Sequence, residues 1–223
     1  MSRKRRVWLR GLAVVFFLLV VIAILGTGSF VKWIVEREGT RIVGVPVTVT
    51  GAYLNPFTGV LHFRNLRLGN PPGFREPYAL KVADLDVRFS LRGLFSDPRR
   101  LHSIDLRGTE VYWEGTILKN NLKQISRAAE SHSEKSPTKP DGGKNRFAIE
   151  RVSVTGTRVA LTQGEKHTEV AVPAIELEDL GSDNYGTKMA TVASDLLGHL
   201  ARAIVTDPDF LRGATQELFR RIF

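Results

Sequence analysis

Residues 79–91 read ALKVADLDVRFSL, and their alternation leaves the backbone little choice. Leu85, Val87, Phe89 and Leu91 fall on one side, and Asp84, Asp86, Arg88 and Ser90 on the other. A period of two sends successive side chains to opposite faces of a strand, so one face is dry and the other wet. Such a strand needs neighbours for its ladder and something apolar over its dry face. That cover is either a second layer of protein, which makes a core, or an acyl chain, which makes a trough.

Similar signals run through most of the chain. VPVTVTG (45–51) alternates Val45, Val47 and Val49 against Pro46, Thr48 and Thr50, and NPFTG (55–59) is a turn. VLHFRNLRLG (60–69) is a strand whose apolar parity shifts between Phe63 and Leu66, which predicts an irregularity. NPPGF is a second turn, and RGLFSDPRR (92–100) reads as a short helical turn and loop. IDLRGTEVYWEG (104–115) can be laid over VSVTGTRVALTQ (152–163) at an offset of 48 residues, each copy reading strand, Gly-Thr break, strand. TEVAVPAIELEDLG (168–181) alternates again. The expected fold is therefore mainly β with helices: a curved antiparallel sheet or groove built from repeated hairpin units. About ten strands spaced about 4.8 Å apart would make a groove some 45–50 Å long.

The helices are fewer. NNLKQISRAAE (120–130) is a short helix that Asn120 or Asn121 can cap. Residues 131–146 are polar and read as a flexible linker or loop. The C-terminal segment 186–223 carries amphipathic helices, with Met189, Val192, Leu196, Leu200 and Ile204 in one stripe and a restart at TDPDF. These either pack on the sheet or lie on a membrane or at a groove end.

The N-terminus differs from the rest. Residues 12–31, LAVVFFLLVVIAILGTGSFV, contain no charge. Twenty helical residues span about 30 Å, the thickness of a bilayer's hydrocarbon core, so a transmembrane helix is expected. Trp8 and Trp33 fall near its two ends, where interfacial rings are favoured. Five bases precede the span in the segment 1–11, so this segment is expected in the cytoplasm and residues 35–223 outside it. A cleaved signal peptide is the competing reading, but the run exceeds a usual h-region and no clear A-x-A site follows. Residues 1–34 hold six of the 32 bases and none of the 23 acids. The formal net charge of +9 is thus largely a terminal feature, and no nucleic-acid partner is expected.

Chemistry-bearing patterns are scarce. With no cysteine there is no disulfide framework or Cys-based zinc site. No two of His62, His102, His132, His167 and His199 are close enough for a helical metal pair, and solvated side chains are expected for all five. There is no G-x-S-x-G, H-E-x-x-H or Walker loop. Asp84 and Asp86 share a strand face, which reads as a wet sheet surface ahead of an acid–base pair. The chain is accordingly not expected to be an enzyme, with no catalytic residue, metal or cofactor. The candidate functional residues are those of the dry face: Leu85, Val87, Phe89, Leu106, Val111, Trp113, Val154 and Val159.

An N-terminal anchor, VPVTV, RNLRLGNPPGFREPYAL with its following strand, IDLRGTEV, NNL, a polar linker and VSVTGTRV together resemble the AsmA-like family of Gram-negative envelope proteins. The resemblance covers residues 1 to about 185, and the NPPGF…PYAL element is its most specific part. It implies a single-pass bacterial inner-membrane protein with a periplasmic β-rich domain at 35–185. That domain would bind lipid acyl chains in envelope lipid transport or outer-membrane homeostasis, with membrane lipid as partner. The alternative is a non-catalytic structural subunit or scaffold of a larger envelope complex, or a homo-oligomer.

Overall fold

The computed structural model describes residues 28–116, 119–135, 146–163, 166–181 and 186–206. Helix α1 (28–43) leads into β1 (Val47–Thr48), β2 (Gly51–Asn55), β3 (Val60–Gly69) and β4 (Tyr78–Phe89). A one-turn helix, α2 (Leu91–Leu94), precedes the long β5 (Arg99–Trp113), and α3 (Asn121–Lys135) follows. The chain then forms β6 (Arg146–Thr155), β7 (Thr157–Gln163), β8 (Lys166–Val172), β9 (Ile175–Leu180), β10 (Thr187–Lys188) and α4 (Met189–Thr206). Among the described residues no helix is long and apolar enough to cross a membrane. The span expected at 12–31 lies outside them except for 28–31, the first turn of α1.

The fold is mainly β; the described residues form one open ten-stranded sheet with four helices. It is mixed, where repeated antiparallel hairpins were expected. β3, β4 and β5 are antiparallel neighbours, but β5 pairs in parallel with β6 (Ile104↔Val152) and with β7 (Val111↔Val159). The cause is α3. A helix between two strands returns the chain to the end where it started, so the second strand joins in parallel. The offset of 48 residues that looked like a hairpin repeat is the register of this parallel pair.

The ten strands do not lie side by side. β6 and β7 follow one another along a single line, and β8 and β9 run back beside it in one continuous register. The sheet is about six strands wide, close to 24 Å at a spacing of about 4.8 Å, half the length expected from the strand count.

A crease crosses five of these lines. Its two rows are Arg64, Asp84, Arg107, Thr155 and Ala174, then Asn65, Ala83, Gly108, Gly156 and Pro173. All ten residues are exposed or half-exposed, so two consecutive rows face outward and the alternation skips one step. Asn65, Gly108 and Gly156 take φ of 47°, 62° and 64°, a left-handed conformation that suits Gly and Asn. The crease explains the parity shift after Phe63 and both Gly-Thr breaks. It lets apolar residues on either side of it join one core.

That core unites Val43, Val45, Val47 and the inner face of the sheet with Leu122 and Ile125 of α3 and Leu197, Leu200 and Ile204 of α4. α1 lies along the first strands: Glu36 Oε1 accepts from Val49 N at 3.0 Å and Thr40 Oγ1 from Val47 N at 2.9 Å. Asn120 caps α3, its Oδ1 accepting from Lys123 N at 2.8 Å. α3 runs on to Lys135, so the expected linker at 131–146 begins as helix, and residues 136–145 lie outside the described ones. α4 packs on α3, with the Ser126 and Ser194 hydroxyls 3.0 Å apart. The restart expected at TDPDF lies outside the described residues.

Candidate functional site

The inner wall is built of apolar rows that cross the strands. On the far side of the crease, Leu68, Leu80, Val111 and Val159 form a buried row, and Leu66, Val82, Thr109 and Thr157 another of which only Leu66 is half-buried. On the near side, two rows run across five strands each. One is Phe63, Leu85, Leu106, Val154 and Ile175, and the other Leu61, Val87, Ile104, Val152 and Leu177. Six of these ten side chains, Leu61, Leu85, Val87, Ile104, Ile175 and Leu177, are only half-buried.

The eight candidate residues therefore divide. Phe89, Leu106, Val111, Trp113, Val154 and Val159 are buried in the core, with Val111, Val154 and Val159 at 0 % exposure. The protein's own side chains cover them. Leu85 and Val87 are packed against that core without being sealed in it. The wall that the alternation foretold exists, and its accessible part is the pair of near rows.

The outer face of the near half is a charged ladder. Asp86 sits between a histidine and an arginine: His62 Nδ1 lies 2.6 Å from its Oδ1, and Arg107 Nη2 donates to its Oδ2 at 2.7 Å. The other ring nitrogen of His62 lies 3.4 Å from Asp84. Asp105, directly opposite Asp86, accepts from the Ser103 hydroxyl at 2.7 Å and the Ser153 hydroxyl at 2.8 Å. Arg88 and Arg151 stand 3.7 and 3.8 Å from the same carboxylate.

Burial pushes the Asp86 carboxyl up. Hydrogen bonds from His62 and Arg107, with their charges, outweigh it and hold the group below the usual carboxylate range. The bond to Asp86 raises Arg107 above its ordinary value. A carboxylate held this way is a weak base, and its chemistry is that of a structural ion pair.

Two expectations need correcting. Asp84 and Asp86 do face outward, but Asp86 is only 8 % exposed, because His62 and Arg107 lie across it. His62 is half-buried, its two ring nitrogens facing Asp86 and Asp84, where a solvated ring was expected. His102 faces Glu150 at 3.2 Å on the open surface, and His199 Nδ1 donates to the Asp195 carbonyl at 2.7 Å. The side chains of His132 and His167 lie outside the described residues. Among the described residues no group of three His, Cys, Asp or Glu could hold a metal ion.

The sequence also hid a knot at the far end of the sheet. Asn121 is fully buried, and its Nδ2 donates to Tyr112 O at 2.6 Å and to Asn70 Oδ1 at 2.8 Å. The Glu114 carboxylate accepts from the backbone N–H groups of Arg75 and Glu76 at 2.8 and 3.0 Å. The NPPGF turn is thereby tied to the start of α3. The signal was the Asn120–Asn121 pair before an amphipathic helix, but nothing in the sequence named a partner 51 residues away. No protein-family model matches the chain, and no curated protein matches it significantly.

Proposed function

We propose that this chain is a membrane-anchored envelope protein of AsmA-like type that binds lipid acyl chains along the near rows of its inner wall. One observation carries the reading. Two five-strand apolar rows lie side by side, and six of their ten side chains keep part of their surface uncovered. Apolar area of that extent gains about 25 cal/mol per Å² when a hydrocarbon chain covers it. Leu85 and Val87 are the residues to which such a chain would lie closest, while the six buried candidates support the wall from within.

The burial of those six favours a second reading, a closed structural or scaffold domain. Native mass spectrometry of the full chain, extracted from membranes in mild detergent, separates the two. About one phospholipid per chain is expected, and it should be lost from Leu85→Asn/Val87→Asn when circular dichroism shows that variant folded. A folded wild-type chain carrying no lipid rejects the acyl-chain reading and leaves the scaffold.

A further inference from the structure

Large apolar side chains that stand exposed gather at one end of the sheet. Phe57 in the β2–β3 turn is 92 % exposed and Phe95 after α2 is 85 % exposed, with Leu91 beside it. These two loops touch: Phe89 N donates to the Gly59 carbonyl at 2.8 Å. Tyr53 on β2 leads into the same turn, and Phe30 and Trp33 protrude from the first turns of α1. At the opposite end, around 70–77 and 114–120, no large apolar side chain is exposed among the described residues.

The path of α1 joins these features. Its Thr40 lies at Val47, its Glu36 at Val49 and its Gly28 against the Ala52 carbonyl. Followed toward its N-terminus, the helix thus travels along β2 toward the Phe57 turn. Residues 28–31, the described end of the uncharged run 12–31, lie at this end. The segment 91–100 adds Arg92, Arg99 and Arg100 against the single acid Asp97. Protruding aromatic rings beside arginines have the composition of a surface that enters the headgroup and acyl boundary of an anionic bilayer. Exposed apolar tips clustered in this way are unusual for a face bathed only in water.

We infer that this end is a second membrane contact: Phe57, Leu91 and Phe95 insert into the bilayer that holds the N-terminal span and seat the sheet upright on it. The inference rests on the membrane anchor of the proposed function but not on the acyl-chain wall. The chain has no cysteine, so single labels are available without background. Phe57→Cys, Phe95→Cys and, at the opposite end, Pro72→Cys are labelled with an environment-sensitive fluorophore. Each full-length variant is reconstituted into phosphatidylethanolamine–phosphatidylglycerol vesicles carrying doxyl-labelled lipid.

The labels at 57 and 95 should shift to the blue and lose emission to the lipid quencher, and the label at 72 should do neither. Emission at 57 and 95 matching that at 72 overturns the inference. So does crosslinking between copies through these positions without lipid quenching, which would assign the patch to a second copy of the chain. The two sites stand in separate loops, so loss of one variant to misfolding leaves the other to decide. Bound phospholipid, counted by mass spectrometry on the same samples, reports on the wall separately. Its absence with quenching intact removes the acyl-chain reading and keeps this contact.

Discussion

Residues 104–113 and 152–161 occupy adjacent strand lines in parallel, and their comparison shows what kind of repeat this is. Inward positions match in character: Ile104 with Val152, Leu106 with Val154, Thr109 with Thr157, Val111 with Val159. Outward positions do not: Asp105 faces Ser153, Arg107 faces Thr155, Glu110 faces Arg158 and Tyr112 faces Ala160. The inward set shares one core, where volume and shape are the constraint. The outward set has to satisfy a neighbour across the pair, which favours complementary groups over identical ones. Asp105 accepting from the Ser153 hydroxyl is that rule in one bond. Two copies of a self-sufficient unit would match on both faces. These match only where they meet the same core.

The largest effects should fall on the matched face. Leu106→Ala is expected to cost about 2–5 kcal/mol from lost transfer energy and the cavity it leaves. Val154→Ala, its direct neighbour, should cost about 2–3 kcal/mol at roughly 0.8 kcal/mol per buried methylene-sized group plus a cavity term. Because the two sites adjoin, the double variant should depart from additivity by at least about 0.5 kcal/mol. Urea denaturation of the full chain in detergent gives all three values. Strict additivity would mean that the two side chains do not share a cavity.

The crease gives a sharper contrast. Both glycines hold a left-handed φ, for which a side chain costs about 1–2 kcal/mol. A Cβ on Gly108 would also meet the Ala83 Cβ at 3.0 Å, whereas one on Gly156 finds only ordinary contact, 3.5 Å from Gly108 N. Gly108→Ala should therefore destabilise more than Gly156→Ala. Gly156→Asn should cost less than Gly156→Ala, since Asn65 already fills the same conformation on β3. Equal losses for all three variants would mean that the crease does not depend on left-handed backbone.

The threonines that follow these glycines test the match from the other direction. Thr109 and Thr157 are both buried, and neither hydroxyl finds a hydrogen-bond partner among the described residues. Replacing an unpartnered buried hydroxyl by a methyl of the same shape is neutral or favourable. Thr109→Val and Thr157→Val should each leave stability unchanged or raise it by about 1 kcal/mol. A loss beyond that in either one, read from the same urea midpoints, would show its hydroxyl engaged.

How much of this was legible follows from which interactions are local. Alternation in 79–91, the valines of 45–49 and the parity shift at Phe63 reported strands, faces and the crease, because a period of two is written in neighbouring residues. The pairing partners were not. That β6 lies parallel to β5 depends on α3 folding back between them, and a 48-residue offset is equally compatible with a hairpin array. The wall residues were named correctly as apolar. Which of them stay accessible depends on how the whole core packs, and no strand pattern encodes that. Asp86 shows the same limit from the polar side. Its outward position was evident from its neighbours in sequence, while its burial depends on His62 and Arg107, 24 and 21 residues away.

Asp86 supplies the smallest effect and the most specific one for the unmatched face. Its row continues through Asp105 to Ser153, so the strand that carries Ser153 has no carboxylate at this level. In the unfolded chain an aspartate titrates near 3.9. In the folded protein Asp86 titrates lower, because His62 and Arg107 more than offset the cost of burial. A depressed folded pKa means that the unfolded state binds protons first as the medium is acidified. The stabilisation is fully present above about pH 4 and is lost as pH falls through the folded value. Asp86→Asn should accordingly flatten the acid limb of the stability curve below about pH 4. An acid limb that survives Asp86→Asn unaltered would place the controlling carboxylate elsewhere and remove His62 and Arg107 from the account.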